Sequence, residues 1–127
     1  MNRQLEKTML TSGSEYDLGR LGAEIAYTIA NEKLGLRNVV FGEPSQRGAD
    51  LISNDGQVVM QARFLRSTQN ADPKNLGVIF QSQLADLAEQ LKVSFKLNPS
   101  AHTGYVMLSY LDDHGDIRTI VVETPRP

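Results

Sequence analysis

The sequence predicts an α/β (α+β) domain: a mixed central sheet flanked by helices, in the order αβββαβ, with an extra C-terminal strand. Three observations carry this expectation. Two stretches repeat apolar residues at helical spacing, Leu18/Leu21/Ile25/Ile29 and Phe80/Leu84/Leu87/Leu91/Phe95. Two strand-like runs flank Asn54-Asp55-Gly56, a strong turn signal. A last pair of strand-like runs brackets Asp113-His114-Gly115.

Taken in order, residues 1–13 read as a short helix or a flexible arm. Ser14 with Asp17 three residues later resembles a capping pattern, so a helix should start there. It runs to about Leu34, with Gly35 placed to end it. Val39-Val40-Phe41 is a short strand, and Gly42 to Gly48 is a loop containing Pro44. Strands follow at Asp50–Ser53 and Val58–Phe64. The polar stretch from Thr68 to Lys74 is a loop through Asp72-Pro73. A second helix runs from about Leu76 to Leu97, where Asn98-Pro99 stops it. Strands at Gly104–Leu111 and Ile117–Glu123 complete the chain.

Composition narrows the chemistry. A chain of 127 residues suits a single domain spanning residues 1–127. With no Cys, disulfides, thiolate zinc sites and a cysteine nucleophile are excluded. The two histidines, His102 and His114, fall in loops and give no metal-binding spacing. The net charge of −2 argues against a strong nonspecific nucleic-acid binder but leaves room for a local basic patch. No apolar run approaches the ~20 residues a membrane span requires. The opening MNRQLEKTML lacks a long apolar segment, so no signal peptide is expected and the cytoplasm is the expected compartment. There is no phosphate-binding P-loop, no dinucleotide fingerprint and no Ser/His/Asp order, so no nucleotide cofactor is expected.

The hairpin RGADLISNDGQVVMQARF, residues 47–64, carries polar groups where a small domain would bury apolar ones. With Asp55-Gly56 as the turn, Ser53 pairs with Val58, Ile52 with Val59 and Leu51 with Met60. Asp50 then falls opposite Gln61, and the period of two brings Arg63 to the same face. The other face, Leu51, Val58, Met60, Ala62 and Phe64, is apolar. An acid, an amide oxygen and a cation at one spot suit a hard metal ion and a phosphate. Asp50 and Gln61 offer oxygens beside the Ala62 carbonyl, and Arg63 offers charge neutralisation. Glu24, at the edge of the first helix's stripe, is a candidate further carboxylate.

These motifs resemble the PD-(D/E)xK nuclease superfamily, the restriction-endonuclease-like fold that includes Holliday-junction resolvases and Mrr-type enzymes. The resemblance covers roughly residues 13–111 in αβββαβ order. GAEIA matches the first-helix acid (Glu24), GAD the metal-binding aspartate (Asp50), and VVMQARF the (D/E/Q)xK strand (Gln61 and Arg63). It implies a nuclease hydrolysing DNA phosphodiester bonds with Mg2+ or Mn2+ held by Asp50, Gln61 and Glu24. Arg63 would sit at the phosphate. A homodimer with two sites for two strands would follow. Gln61 stands where an acid is commonest. Arg63 stands where the family has lysine, and arginine keeps its proton, so it can hold a phosphate but not act as a base. Lys92 and Lys96 on the second helix are the candidates to stand in for that lysine.

Each candidate has a simpler reading beside it. Asp50 and Arg63 make a structural ion pair in that reading, Gln61 satisfies a backbone group, and Glu24 is a solvated helix-flank acid. Arg47, Arg66 and Lys74 form a phosphate-binding rim, and Gln81 and Gln83 touch a nucleic-acid backbone, or all are ordinary surface residues. The functional alternative is a catalytically degenerate module of the same fold that binds nucleic acid or a protein without cleavage.

Overall fold

The computed structural model describes residues 15–42, 49–65 and 73–127. Helix α1 (Glu15–Glu32) is followed by strands β1 (Val40–Phe41), β2 (Leu51–Ser53) and β3 (Val58–Phe64). Helix α2 (Pro73–Leu97), β4 (Thr103–Leu111) and β5 (Ile117–Pro125) follow. The five strands form one mixed sheet in the order β1-β2-β3-β4-β5. Neighbours are antiparallel except β3 and β4, which run parallel. A parallel pair needs a long crossover, and α2 supplies it. The mixed α/β sandwich with an extra C-terminal strand is therefore as the sequence predicts.

The hairpin register also holds. Leu51 lies opposite Met60, Ile52 opposite Val59 and Ser53 opposite Val58. The turn is a short 3-10 piece, Asn54–Gly56, with Asn54, Asp55 and Gly56 all at positive φ. Asn and Asp tolerate that region and Gly adopts it freely, which is why this tripeptide turns the chain.

Alternation along β3 sorts its side chains between two layers. Val58, Met60 and Phe64 face α1, packing with Ala26, Ala30, Leu18 and Leu21. Val59 faces α2, where Leu87, Leu91 and Phe95 pack on Ile52, Val106 and Leu108. The buried row of α1 is Leu18, Leu21, Ala26 and Ala30, while Ile25 and Ile29 pack at the margin. The expected stripe is thus rotated. The cause is Gly22: a Cβ there would meet the Phe64 amide nitrogen at 3.1 Å and the Arg63 carbonyl carbon at 3.2 Å. Backbone contact at that point turns the small residues at 22, 26 and 30 towards the sheet.

Helix α2 begins at Pro73, earlier than the expected Leu76, because proline suits the first helical turn. Strand β5 extends to Pro125, past the expected Glu123. Pro125 is tolerated there because β5 is the edge of the sheet. Among the described residues no helix is long and apolar enough to cross a membrane.

Candidate functional site

The candidate residues gather where β2 begins and β3 ends. Asp50 stands one residue before β2, and its backbone N–H donates to the Met60 carbonyl at 3.0 Å. Its own carbonyl accepts the Gly42 N–H at 2.8 Å. Gly42 is required for this approach, since a Cβ there would run into the Ala49 carbonyl oxygen. The Asp50 side chain reaches over β3, and Oδ2 accepts the Ala62 backbone N–H at 2.8 Å. The carboxylate is thus fixed against the segment Gln61-Ala62-Arg63, as the hairpin register requires. Oδ1 accepts no hydrogen bond from the described residues. Burial pushes the Asp50 carboxyl above its ordinary value, against the Ala62 N–H and the Arg63 guanidinium, which both favour the charged form.

Gln61 and Arg63 both face α2, and each is held by it. Gln61 is buried, and its Nε2 donates to Ser94 Oγ at 2.6 Å. Ser94 Oγ donates in turn to the Gln90 carbonyl at 3.2 Å, and Asn98 Nδ2 donates to the Ser94 carbonyl at 2.8 Å. A polar ladder therefore runs along the inner side of α2 beneath the strand. Arg63 Nη1 donates to Gln83 Oε1 at 2.7 Å and pairs with Asp86 Oδ2 at 2.7 Å. The ion pair of Arg63 is with Asp86, while Asp50 acts on it at longer range.

The remaining candidates lie apart from this centre. Glu24 is on α1, on the opposite side of the sheet from Gln61, and pairs with Arg20 at 3.3 Å. No described contact joins it to Asp50 or Gln61. Gln81 is exposed on α2. Lys74 belongs to the first turn of α2, but its side chain, like Arg47 and Arg66, lies outside the described residues. Lys92 is exposed and pairs with Glu89 at 2.9 Å. Lys96 sits in the last turn of α2. Among the described residues no group of three or more Asp, Glu, His or Cys converges. In the last turn, Asp112 Oδ1 accepts the backbone N–H groups of His114 and Asp116, and Oδ2 pairs with Arg118. That acid builds the turn.

Sequence reasoning missed Ser94 and Asp86. Ser94 carried a signal: it lies three residues after Leu91 and seven after Leu87, a polar residue on the apolar stripe. Gln83 and Asp86 are one turn apart beside that stripe, which marks a shared face without saying what it meets.

A cleft of about 420 Å3 opens beside Arg63 at the end of β3. Leu18 and Gly19 of α1 line one side, Gln83 of α2 the other, and Ala62 to Leu65 the floor. It joins polar and apolar wall at the place where the strand leaves the sheet. No family model, no curated protein and no solved structure matches this chain.

Proposed function

We propose that the chain is a cytoplasmic, metal-dependent nuclease that hydrolyses DNA phosphodiester bonds and works as a homodimer. The observation that carries this reading is the Asp50 carboxylate. It is clamped by one oxygen to the Ala62 N–H, keeps the other clear of the described side chains, and stands beside the Arg63 cleft. A partly desolvated carboxylate with a raised pKa gains from a cation.

The donor set fits a hard divalent ion held in part by substrate. Asp50 Oδ1 would be its carboxylate ligand, with the Ala62 carbonyl beside it. Magnesium commonly takes one or two protein carboxylates and completes its shell with water and phosphate oxygens. When bound, such an ion would supply an activated water and polarise the phosphate. The chain's own groups would do the rest. Arg63 would hold a phosphate oxygen after exchanging Asp86 for it. Gln61 would fix the strand through Ser94. Arg63 stays protonated throughout, so no base step passes through it.

A second reading has its own observation. Arg63 is already neutralised by Asp86 and bonded to Gln83, and Gln61 is committed to Ser94. That supports a module of the same fold that grips a phosphate backbone without cutting it.

One experiment separates the two. Labelled linear, nicked, flap and four-way-junction DNA are incubated at low salt with Mg2+ or Mn2+, alongside Asp50→Ala, Arg63→Lys and Asp86→Asn variants. The nuclease reading expects metal-dependent cutting that Asp50→Ala abolishes. The binding reading expects no cutting by any variant, with DNA retention that Asp86→Asn tightens and rising salt weakens. Neither cutting nor retention overturns both.

A further inference from the structure

We propose that β5 is a dimerisation edge, pairing antiparallel with β5 of a second copy about a two-fold axis at Val121 to give one ten-stranded sheet. The inference rests on the strand itself and not on the nuclease reading. β5 is nine residues long, and every residue is in register with β4. It carries no bulge, and among the described residues nothing pairs with its outer side. Such an edge presents a row of unpaired backbone donors and acceptors, and proteins normally blunt it with charge, proline or a bulge. The middle of β5, Ile120-Val121-Val122, has none of these. Val121 and Val122 are 38% and 40% exposed.

The other edge of the sheet decides what can pair with it. β1 is two residues long, so a head-to-tail contact between β5 and β1 would join two residues to nine. Self-pairing of β5 uses its full length and closes the assembly.

The charge pattern selects the register. A two-fold axis perpendicular to the sheet keeps each side chain on its own face, so the axis must pass through a residue position. Centred on Val121, Ile120 meets Val122, Thr119 meets Glu123 and Arg118 meets Thr124 of the second copy. Each charge faces a hydroxyl, and the apolar centre covers itself. Moving the centre to Val122 sets Arg118 against Arg126, and moving it to Ile120 sets Glu123 against Ile117. Only the Val121 centre is free of a clash in character.

The register has a consequence for the site. Arg63 lies in the row of Leu108 and Ile120, and Gln61 in the row of Val106 and Val122. Across the axis these rows join, so both copies of Arg63 stand on the same face of the sheet. Five strand spacings and a two-residue offset put them ~25 Å apart.

The chain has no cysteine, so engineered ones report cleanly. Wild-type protein is examined by sedimentation and light scattering without DNA or metal. The expected mass is twice the 14.1 kDa of the chain. Val121→Cys should form an interchain disulfide under mild oxidation, because directly opposed residues lie within disulfide reach. Val122→Cys and Thr119→Cys should not, since their copies are displaced along the strand by two and four residues. Val121→Lys, which sets two ammonium groups face to face, should shift the mass to that of one chain while leaving the circular dichroism unchanged. A wild-type monomer at concentrations up to ~100 μM overturns the proposal and leaves the edge to a strand of another protein. A dimer that cross-links equally at all three positions, or not at Val121, overturns it too. If Val121→Lys does not fold, the cross-linking pattern decides alone.

Discussion

Asp50 carries the cost that a functional residue usually carries. Its carboxylate is largely buried and its pKa is raised by that burial above 3.8. Between the unfolded value and the raised folded value, the native state binds more protons than the unfolded chain. Stability therefore falls as pH rises through that window and is level above it. The amide isostere has no charge to desolvate and still offers an oxygen to the Ala62 N–H. Asp50→Asn should thus be more stable than wild type at neutral pH, with the advantage shrinking as pH falls through the window. Asp50→Ala strips the acceptor from Ala62 and should lose about 1–3 kcal/mol. Urea unfolding of the three proteins from pH 3 to 8 checks both signs. A wild type more stable than Asp50→Asn at pH 7 would mean that the carboxylate serves the fold, and a purely structural reading of Asp50 would gain. A residue kept against stability is the usual mark of a site.

The helices and strands were legible because each follows a local rule. Apolar repeats at helical spacing marked both helices, and the turn tripeptide pinned the pairing of β2 with β3, hence the meeting of Asp50 with the Gln61-Arg63 segment. What was not legible is the rotation of α1 about its own axis, nor which residues of β3 the polar side chains of α2 would meet. Those partners lie far away in the chain, as Ser94 with Gln61 and Asp86 with Arg63. For α1 the setting contact is Gly22 on the β3 backbone. This makes two glycines of one helix behave oppositely. A Cβ at Gly19 would meet nothing within 4 Å, so Gly19→Ala should gain up to ~1 kcal/mol of helix propensity. At Gly22 the same gain is opposed by the backbone of Arg63 and Phe64, which β4 holds in place by pairing and which would have to shift to admit a Cβ. Gly22→Ala should lower the melting temperature while Gly19→Ala raises it. Equal shifts in thermal denaturation would show that α1 can slide off β3, and the rotation would need another cause.

At the scale of the whole molecule, β5 is an edge of the sheet with partly exposed valines, and two arginines tie its ends. Arg118 pairs with Asp112 across the last turn at 2.9 Å, and its side chain is 61% exposed. Arg126, just past the strand, does more. Its Nη1 is shared among the carbonyls of Ala101, Asn98 and Pro99, at 2.8, 3.2 and 3.3 Å. Its guanidinium carbon lies 5.7 Å from the centre of the Phe95 ring. Those carbonyls follow the C-terminus of α2, where a cation also meets the negative end of the helix. The chain end is thereby fastened to the helix that carries Gln83, Asp86 and Ser94, and so to the candidate site. Arg126→Ala should cost about 1–3 kcal/mol, because charged hydrogen bonds and a ring contact go together. Arg126→Lys should recover little of it, since a lysine cannot reproduce the planar fork. Arg118→Ala, at an exposed pair, should cost less than about 1 kcal/mol. Urea unfolding gives the three values, and hydrogen exchange locates them. Protection should drop first where Thr103 to Tyr105 pairs with Glu123 to Pro125. Equal losses from Arg118→Ala and Arg126→Ala, with exchange rising evenly along β5, would mean that the strand is held by its ladder to β4 alone.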